Sequence, residues 1–459
     1  MASKSKRARM APARNLSKTF LHWTIAVFLV KLMIIFNIQG GNIEISGRPF
    51  FLDGIWLGSD GENYLTGYDG LLREGVFSKL GILNYWPAGY PIVIFFLSVL
   101  GKSWALTTLS IIQSAIFSFA VYFFASQLLK TRLKKYSYLV FLLMLLNPTL
   151  SLTSIWIGYE SLTASGFLVA IGLIIKDLCE KNDSRFLIYL LINSLIFSLL
   201  SFLQPRLIIS GIAINLYWIF LRKSVKAGSL LLIVTLVVTL LFPATLVFRN
   251  NRAVGINSIS TNLGVTMNIG AGDKATGGYM SSGFGVPCKL SGTPNQQDNQ
   301  RVKCVLDWYA SNPVKAIKLF YYKSVYFWSP WFGPIANGTM SRNPWIGISP
   351  IREIHQGLIE PKIVYGPIGK LLSWIWLLSS LTLMLYGYLI LWRQKSIERV
   401  IGNIAMVIIS VNWIISLLSI GDHRFRVPVM GLSLFLQAMG LKTFFNGGKA
   451  TMVDGPSLR

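Results

Sequence analysis

Apolar residues fall into long, nearly unbroken runs. They do not alternate, and they do not recur on a single helical face. The first run covers 20–36, interrupted only by His22 and Lys31. Later runs cover roughly 104–129, 138–150, 160–175, 186–203, 207–221, 229–248, 367–392, 400–420 and 427–445. Most approach the ~20 residues a helix needs to cross a ~30 Å hydrocarbon core. Lipid offers the backbone no hydrogen-bond partner, so helices are expected throughout. The pattern predicts an all-α polytopic membrane protein of about ten transmembrane helices.

One run does not fit that scheme. Gly89–Leu100 is short and follows Trp86-Pro87-Ala88-Gly89-Tyr90-Pro91. Charge decides its status. Residues 1–18 carry Lys4, Lys6, Arg7, Arg9, Arg14 and Lys18 and no acid, so the N-terminus is expected inside. Lys130, Arg132, Lys134 and Lys135 form the next short basic loop, also inside by the same rule. An even number of crossings must separate them, and the runs at 20–36 and 104–129 supply two. Gly89–Leu100 should therefore lie along the outer interface or re-enter. The competing reading has it cross, with that basic loop outside. With Gly89–Leu100 kept on the outer side, Arg222, Lys223, Lys226, Arg393, Lys395, Arg399 and the C-terminal tail also fall inside. Two large outer segments remain, 38–102 with interfacial helices and a mixed loop region at 249–366. They divide the chain into an N-terminal membrane module (1–248), the outer loop and C-terminal spans (367–459). The first run resembles a signal peptide but lacks a small-x-small cleavage site, so an uncleaved helix is expected.

Composition agrees. Apolar types make up 53% of 459 residues and charged types 13%, and mean hydropathy is +0.54. A soluble globular enzyme, a disordered tail and a disulfide scaffold are excluded. Lys and Arg (43) exceed Asp and Glu (18) by 25. That excess first suggests nucleic acid, but the cations sit between spans, where they orient the chain, so no nucleic-acid partner is expected. There are three Cys and three His, and no metal-ligand spacing. Cys288 and Cys304 are spaced to allow a disulfide in an oxidising compartment, two free thiols being the alternative. Cys179 reads as an inner-loop thiol without chemistry.

Candidate chemistry lies on the outer side. Residues 38–88 hold Glu44, Asp53, Asp60, Glu62, Asp69 and Glu74, a third of the chain's 18 acids. Asp60, in Gly58-Ser59-Asp60-Gly61, reads as a helix N-cap or as a general base at the membrane surface. Glu160 opens an apolar run after Asn147-Pro148 and Tyr159. A carboxylate costs ~2.5–3.5 kcal/mol at the bilayer centre and less near an interface, so it needs a reason. Attraction to the helix dipole is the simpler one. Parity puts Glu160 on the same side as Asp60. Arg206, Arg249, Arg252, Arg424 and Arg426 also fall outside, against the inside bias. Arginine's planar fork suits phosphate, although any one of them suits a lipid headgroup too. Together these groups point to sugar transfer from a polyprenyl-phosphate donor, with arginines on the leaving phosphate and a carboxylate on an acceptor hydroxyl.

The order of these motifs resembles a bacterial polytopic glycosyltransferase of superfamily C, akin to protein O-mannosyltransferases and the lipid A aminoarabinose transferase. Ser59-Asp60-Gly61-Glu62-Asn63-Tyr64 resembles the acidic motif of the family's first loop, with Asp60 at its catalytic acid. Tyr85 to Pro91 resembles a Pro-Pro-Gly-Tyr-Pro-like element and brings in Tyr90. Asn147-Pro148 followed by Tyr159-Glu160 resembles the next helical hairpin, whose acid falls on Glu160. Phe242-Pro243 through Arg249-Asn250, then Ser260-Thr261-Asn262-Leu263-Gly264, resembles a Pro-Trp-x-x-Arg-Asn and Thr-Asn-x-Gly stretch. Asp422 to Pro428 resembles a terminal Arg-Tyr-Arg-x-Pro element. The chain departs by splitting the acidic pair as Asp60-Gly61-Glu62, by placing Trp86 before Pro87, and by reversing Arg-Pro to Pro205-Arg206.

The resemblance implies catalytic Asp60 and Glu160. It implies substrate or phosphate contacts at Arg249, Arg424, Arg426, Arg206, Tyr90 and Asn262. The donor would be a polyprenyl-phosphate sugar entering from the membrane lipids, and the acceptor a lipid, glycan or protein. No cofactor is fixed, and a divalent cation is left open. A bacterial inner membrane with the site facing the periplasm is the expected setting. In an endoplasmic reticulum Asn337-Gly338-Thr339 would be an outer sequon. The alternatives are a lipid-linked oligosaccharide flippase or transporter, or a glycan polymerase using diphosphate-linked donors. A transporter favours ionisable residues at mid-membrane and inverted repeats. Only Lys31 and scattered Ser, Gln and Asn stand within the runs, and no repeat is evident.

Overall fold

The computed structural model describes residues 2–57, 60–222, 225–279, 285–329, 367–394 and 396–446. Asn337 and the last part of the second outer segment lie outside them. The fold is all-α, apart from one two-stranded hairpin among the described residues. Eight described helices are long and apolar enough to cross a membrane, and nine if one bent pair counts as a single span. They run from Asn15–Asn37 at the N-terminus to His423–Phe445 at the C-terminus. An integral membrane protein is the reading this supports.

Two of the ten apolar runs fall outside the set of eight. The run at 207–221 is helix Leu207–Arg222, apolar but short. The run at 138–150 departs from expectation. Its helix starts earlier, spans Lys134–Leu146, and stops at Asn147-Pro148. Pro148 has no N–H and its ring meets the carbonyl one turn back, so the helix cannot continue. Asn147 Oδ1 accepts the Leu150 N–H at 2.9 Å and caps a new short helix, Pro148–Leu152, which opens the segment Pro148–Ile155 bent 55° from the first. The run at 229–248 is also longer than its apolar part. Its helix covers Val225–Val254, so Arg249 and Arg252 ride on its last turns and do not follow its end. Gly89–Leu100 is helical, and at 1.5 Å per residue it reaches only about 18 Å.

The first outer segment contains three helices, Gly61–Glu74, Ile82–Tyr85 and Gly89–Leu97. It also contains the hairpin, Asn42–Ile45 against Arg48–Phe51, which the apolar pattern did not anticipate. Its two-residue turn places Ser46 at φ 52° and Gly47 at φ 78°, the doubly left-handed geometry that matches strand twist. This segment has its own apolar core, including Phe50, Leu65, Tyr68 and Ile94. The spanning helices share the largest core. A third core forms within 263–328, where Met267, Val305, Tyr309 and Leu319 pack together. The Cys288–Cys304 disulfide is formed beside it, with Cα atoms 6.0 Å apart. Helices Pro294–Ser311 and Pro313–Trp328 build that unit, the first opened by a Thr293–Gln296 capping box.

Candidate functional site

Two backbone segments far apart in sequence are stitched together before any charged group is considered. The Trp56 N–H donates to the Ile155 carbonyl at 3.0 Å, and the Ile157 N–H donates back to the Trp56 carbonyl at 3.0 Å. The Gln113 side chain donates to the Ser154 and Trp156 carbonyls at 3.1 and 3.0 Å. The Tyr90 hydroxyl donates to Gln113 Oε1 at 3.0 Å and accepts the Gly158 N–H at 2.7 Å. From below, Lys31 Nζ donates to Ser154 Oγ at 3.1 Å and lies 4.3 Å from the Phe117 ring centre. The polar residues of three apolar runs thus fix the strap 154–158 and the chain at Trp56. Four residues beyond Trp56 is Asp60, and two beyond Gly158 is Glu160.

Asp60 stands at the N-cap position of helix Gly61–Glu74, but its side chain makes no cap bond. Its carboxylate pairs instead with Arg424 Nη1. Glu160, the first residue of helix Glu160–Glu180, is fully buried and pairs with Arg424 Nε at 2.5 Å. Neither acid is therefore a simple capping or dipole charge. Arg424 lies in a 3-10 turn, His423–Arg426, that opens the last helix, and Asp422 Oδ1 caps that turn by accepting the Arg424 N–H at 2.9 Å. The guanidinium packs over the Tyr159 ring at 5.6 Å, and Gln204 Nε2 donates to the Tyr159 hydroxyl at 2.9 Å.

Arg206 completes the cluster. Its guanidinium lies over the Phe425 ring at 4.3 Å, and it is within electrostatic reach of Tyr159, Arg424, Glu160 and Tyr64. Its Nε and Nη2 are enclosed and have no hydrogen-bond partner among the described residues. Burial pushes this guanidinium below the ordinary arginine range. A half-buried cation with two enclosed, unused donors is costly, and an entering anion would relieve that cost. Tyr64 packs edge-on to Tyr90 at 4.9 Å. Burial raises its hydroxyl well above the usual value, against the pull of Arg424, so it stays neutral and keeps its proton to donate.

The remaining candidates stand elsewhere. Arg249 donates to the Val76 and Leu83 carbonyls at 3.1 Å each, to Asn250 Oδ1 at 2.8 Å, and to the Ser78 carbonyl. Its fork is spent on fastening the loop 75–83. Asn262 precedes helix Leu263–Ile269 and accepts from Ser260 Oγ at 3.3 Å, beside Thr261, whose N–H reaches the Asn84 carbonyl at 3.0 Å. Arg426 donates to the Trp328 carbonyl at 2.7 Å, while its Nε is enclosed without a partner among the described residues. Tyr90 acts on the cluster through the strap. No trio of His, Cys, Asp or Glu among the described residues is placed to hold a metal. The Arg424 guanidinium occupies the position between the two carboxylates.

The sequence reading missed Tyr64, Tyr159, Phe425, Gln204 and Lys323. Tyr159 and Phe425 adjoin residues it did select, and Gln204 and Tyr64 lie two and four positions from Arg206 and Asp60, which is the available signal. Lys323 gave none. It is buried in helix Pro313–Trp328 and donates to Tyr309 Oη and the Leu417 carbonyl at 2.8 Å each, and to the Ser419 carbonyl at 2.6 Å. It therefore caps the helix that leads into the Arg424 turn, and burial pushes its ammonium down to about 7. Gly421 makes that approach possible, since a Cβ there would lie 2.5 Å from Lys323 Cα. No protein-family model, curated protein or solved structure matches this chain.

Proposed function

We propose that this protein is an integral membrane glycosyltransferase that moves a monosaccharide from a polyprenyl-phosphate donor to a lipid, glycan or protein acceptor. In this reading ten helices span a bacterial inner membrane, both ends lie inside, and the site faces the periplasm. One observation carries it. Two buried carboxylates share Arg424, and beside them Arg206 holds unused donors.

The donor is an anionic phosphodiester. Arg206 meets its phosphate with no bond to break first. Arg424 then divides its fork between the phosphate and the acids, which loosens Asp60. Asp60 takes the proton of the acceptor hydroxyl as its oxygen bonds to the anomeric carbon. The bond from that carbon to the phosphate oxygen breaks, and the lipid phosphate leaves with one further negative charge. Arg206 and Arg424 stabilise that charge as it develops. Glu160 keeps Arg424 in place and orients the acceptor. Because phosphate is a competent leaving group, no general acid is required.

Membranes containing the protein, supplied with labelled polyprenyl-phosphate sugar, should transfer label. Asp60→Asn should lower the rate about 10²–10⁴-fold. Full activity in that variant would remove Asp60 as base, and transfer only from a diphosphate-linked donor would favour a polymerase.

A further inference from the structure

The first outer segment holds a recess lined by none of the residues of the carboxylate–arginine cluster. Strand Arg48–Phe51, helix Gly61–Glu74 and the start of helix Ala105–Leu128 border an open recess of about 440 Å³. That lies within the ~300–1,000 Å³ of small-molecule sites. The inner walls are apolar. Phe50 and Leu106 are buried, and Tyr68 tilts against Phe50 at 5.7 Å. The lining contains no acid but two cations, Arg48 and Lys102. Arg48 has Asp69 at 3.6 Å, but Asp69 is already held by Arg73 at 2.8 Å. Lys102 makes no ion pair with any described residue. The walls of the recess themselves therefore present two cations and no carboxylate.

The rim has a distinct character. Val99, Leu100 and Trp104 flank Lys102 and are 82%, 68% and 62% exposed. Large apolar side chains interleaved with lysine and tryptophan mark the boundary between headgroups and hydrocarbon. The recess thus opens where phospholipid headgroups would lie.

We propose that this recess seats an acidic glycerophospholipid, with its phosphodiester between Arg48 and Lys102 and the start of an acyl chain against Phe50 and Leu106. Arg48 offers a fork to the phosphate and Lys102 a compact charge, while the apolar wall takes the methylenes. A zwitterionic lipid brings its own cation to a lining that already holds two cations and no acid, so acidic headgroups are preferred. Binding here is independent of the proposed transferase activity. It braces helix Gly61–Glu74, whose Tyr68 faces the recess and whose N-terminal end carries Asp60.

The test uses the full chain in vesicles of phosphatidylcholine with a minority of phosphatidylglycerol. After detergent extraction, native mass spectrometry counts the lipids retained. The wild type should retain phosphatidylglycerol beyond its share of the vesicle. Lys102→Gln and Ser103→Glu, both at exposed positions that leave the core intact, should each cut that enrichment about fivefold. Lys79→Gln, which lies outside the recess, should leave it unchanged. Equal enrichment in wild type and both recess variants overturns the proposal. So does displacement of the retained lipid by inorganic phosphate alone, which would make the recess a phosphate site.

Discussion

Arg424→Met tests whether charge, and not merely shape, holds the cluster together. The side chain is buried and faces two buried carboxylates. With charge centres ~4 Å apart and an effective dielectric of ~20, each pair attracts by about 4 kcal/mol. The two acids repel one another by about 3 kcal/mol if their centres lie ~6 Å apart. Desolvation offsets part of the attraction. Removing one partner from such a pair still costs about 3–5 kcal/mol, because the charge left behind is buried and unpaired. Met fills most of the space that the arginine stem occupied. Neutralising the acids in that background, with Glu160→Gln and Asp60→Asn, should therefore recover about 2–3 kcal/mol. Equilibrium unfolding in mixed micelles, on the single, double and triple variants, measures each step. Asp60→Asn and Glu160→Gln together, with Arg424 kept, should also be destabilising, because the cation is then the stranded charge. If the triple variant is no more stable than Arg424→Met alone, the guanidinium acts by packing and the electrostatic account fails.

Arg206→Lys should leave stability within about 1 kcal/mol, since no ion pair is broken, yet raise KM for a phosphate-linked donor about tenfold by losing the fork. An unchanged KM would remove Arg206 from donor binding. Cys288→Ser opens a disulfide between residues 16 apart, worth about 3 kcal/mol, and should make 263–328 protease-sensitive while the spanning helices stay protected. Lys323 is held below its unfolded value of ~10.4, so the unfolded chain binds more protons between pH 7 and 10. Stability should therefore rise with pH across that window, and the gain should be fully lost by the time pH has fallen to about 7, below which the profile is flat. Lys323→Met should flatten the profile, as read by unfolding at several pH values.

Much of the fold was readable because a lipid-embedded chain must satisfy its backbone internally, which turns apolar runs into helices almost without alternatives. Asp60, Glu160, Arg206 and Arg424 were readable for the converse reason: a charge beside an apolar run is costly and needs an explanation. Parity of basic loops placed all four on one side, and the contacts among Asp60, Glu160 and Arg424 agree with that. The partners of each charge were not readable. Phe248-Arg249-Asn250 has the local look of a phosphate contact, but its role is set by carbonyls at Val76, Ser78 and Leu83, far back in the chain. Lys323 carries no local mark, because its three acceptors come from Tyr309 and from the end of helix Ile397–Leu418. The stop at Asn147-Pro148 was written in the sequence, and the apolar count simply ran through it.

The separation of Glu160 from Arg424, 264 residues along the chain, has a consequence for biogenesis. At ~5–20 residues per second, a ribosome needs roughly 15–50 s to reach Arg424 after making Glu160. During that interval the strap 154–158 can already close on Trp56, Tyr90 and Gln113, since all of these precede it. The nascent half-bundle then presents two acids with no matching arginine. Chains that stop before the last helix keep that defect permanently, which gives membrane quality control a direct chemical mark of an unfinished molecule.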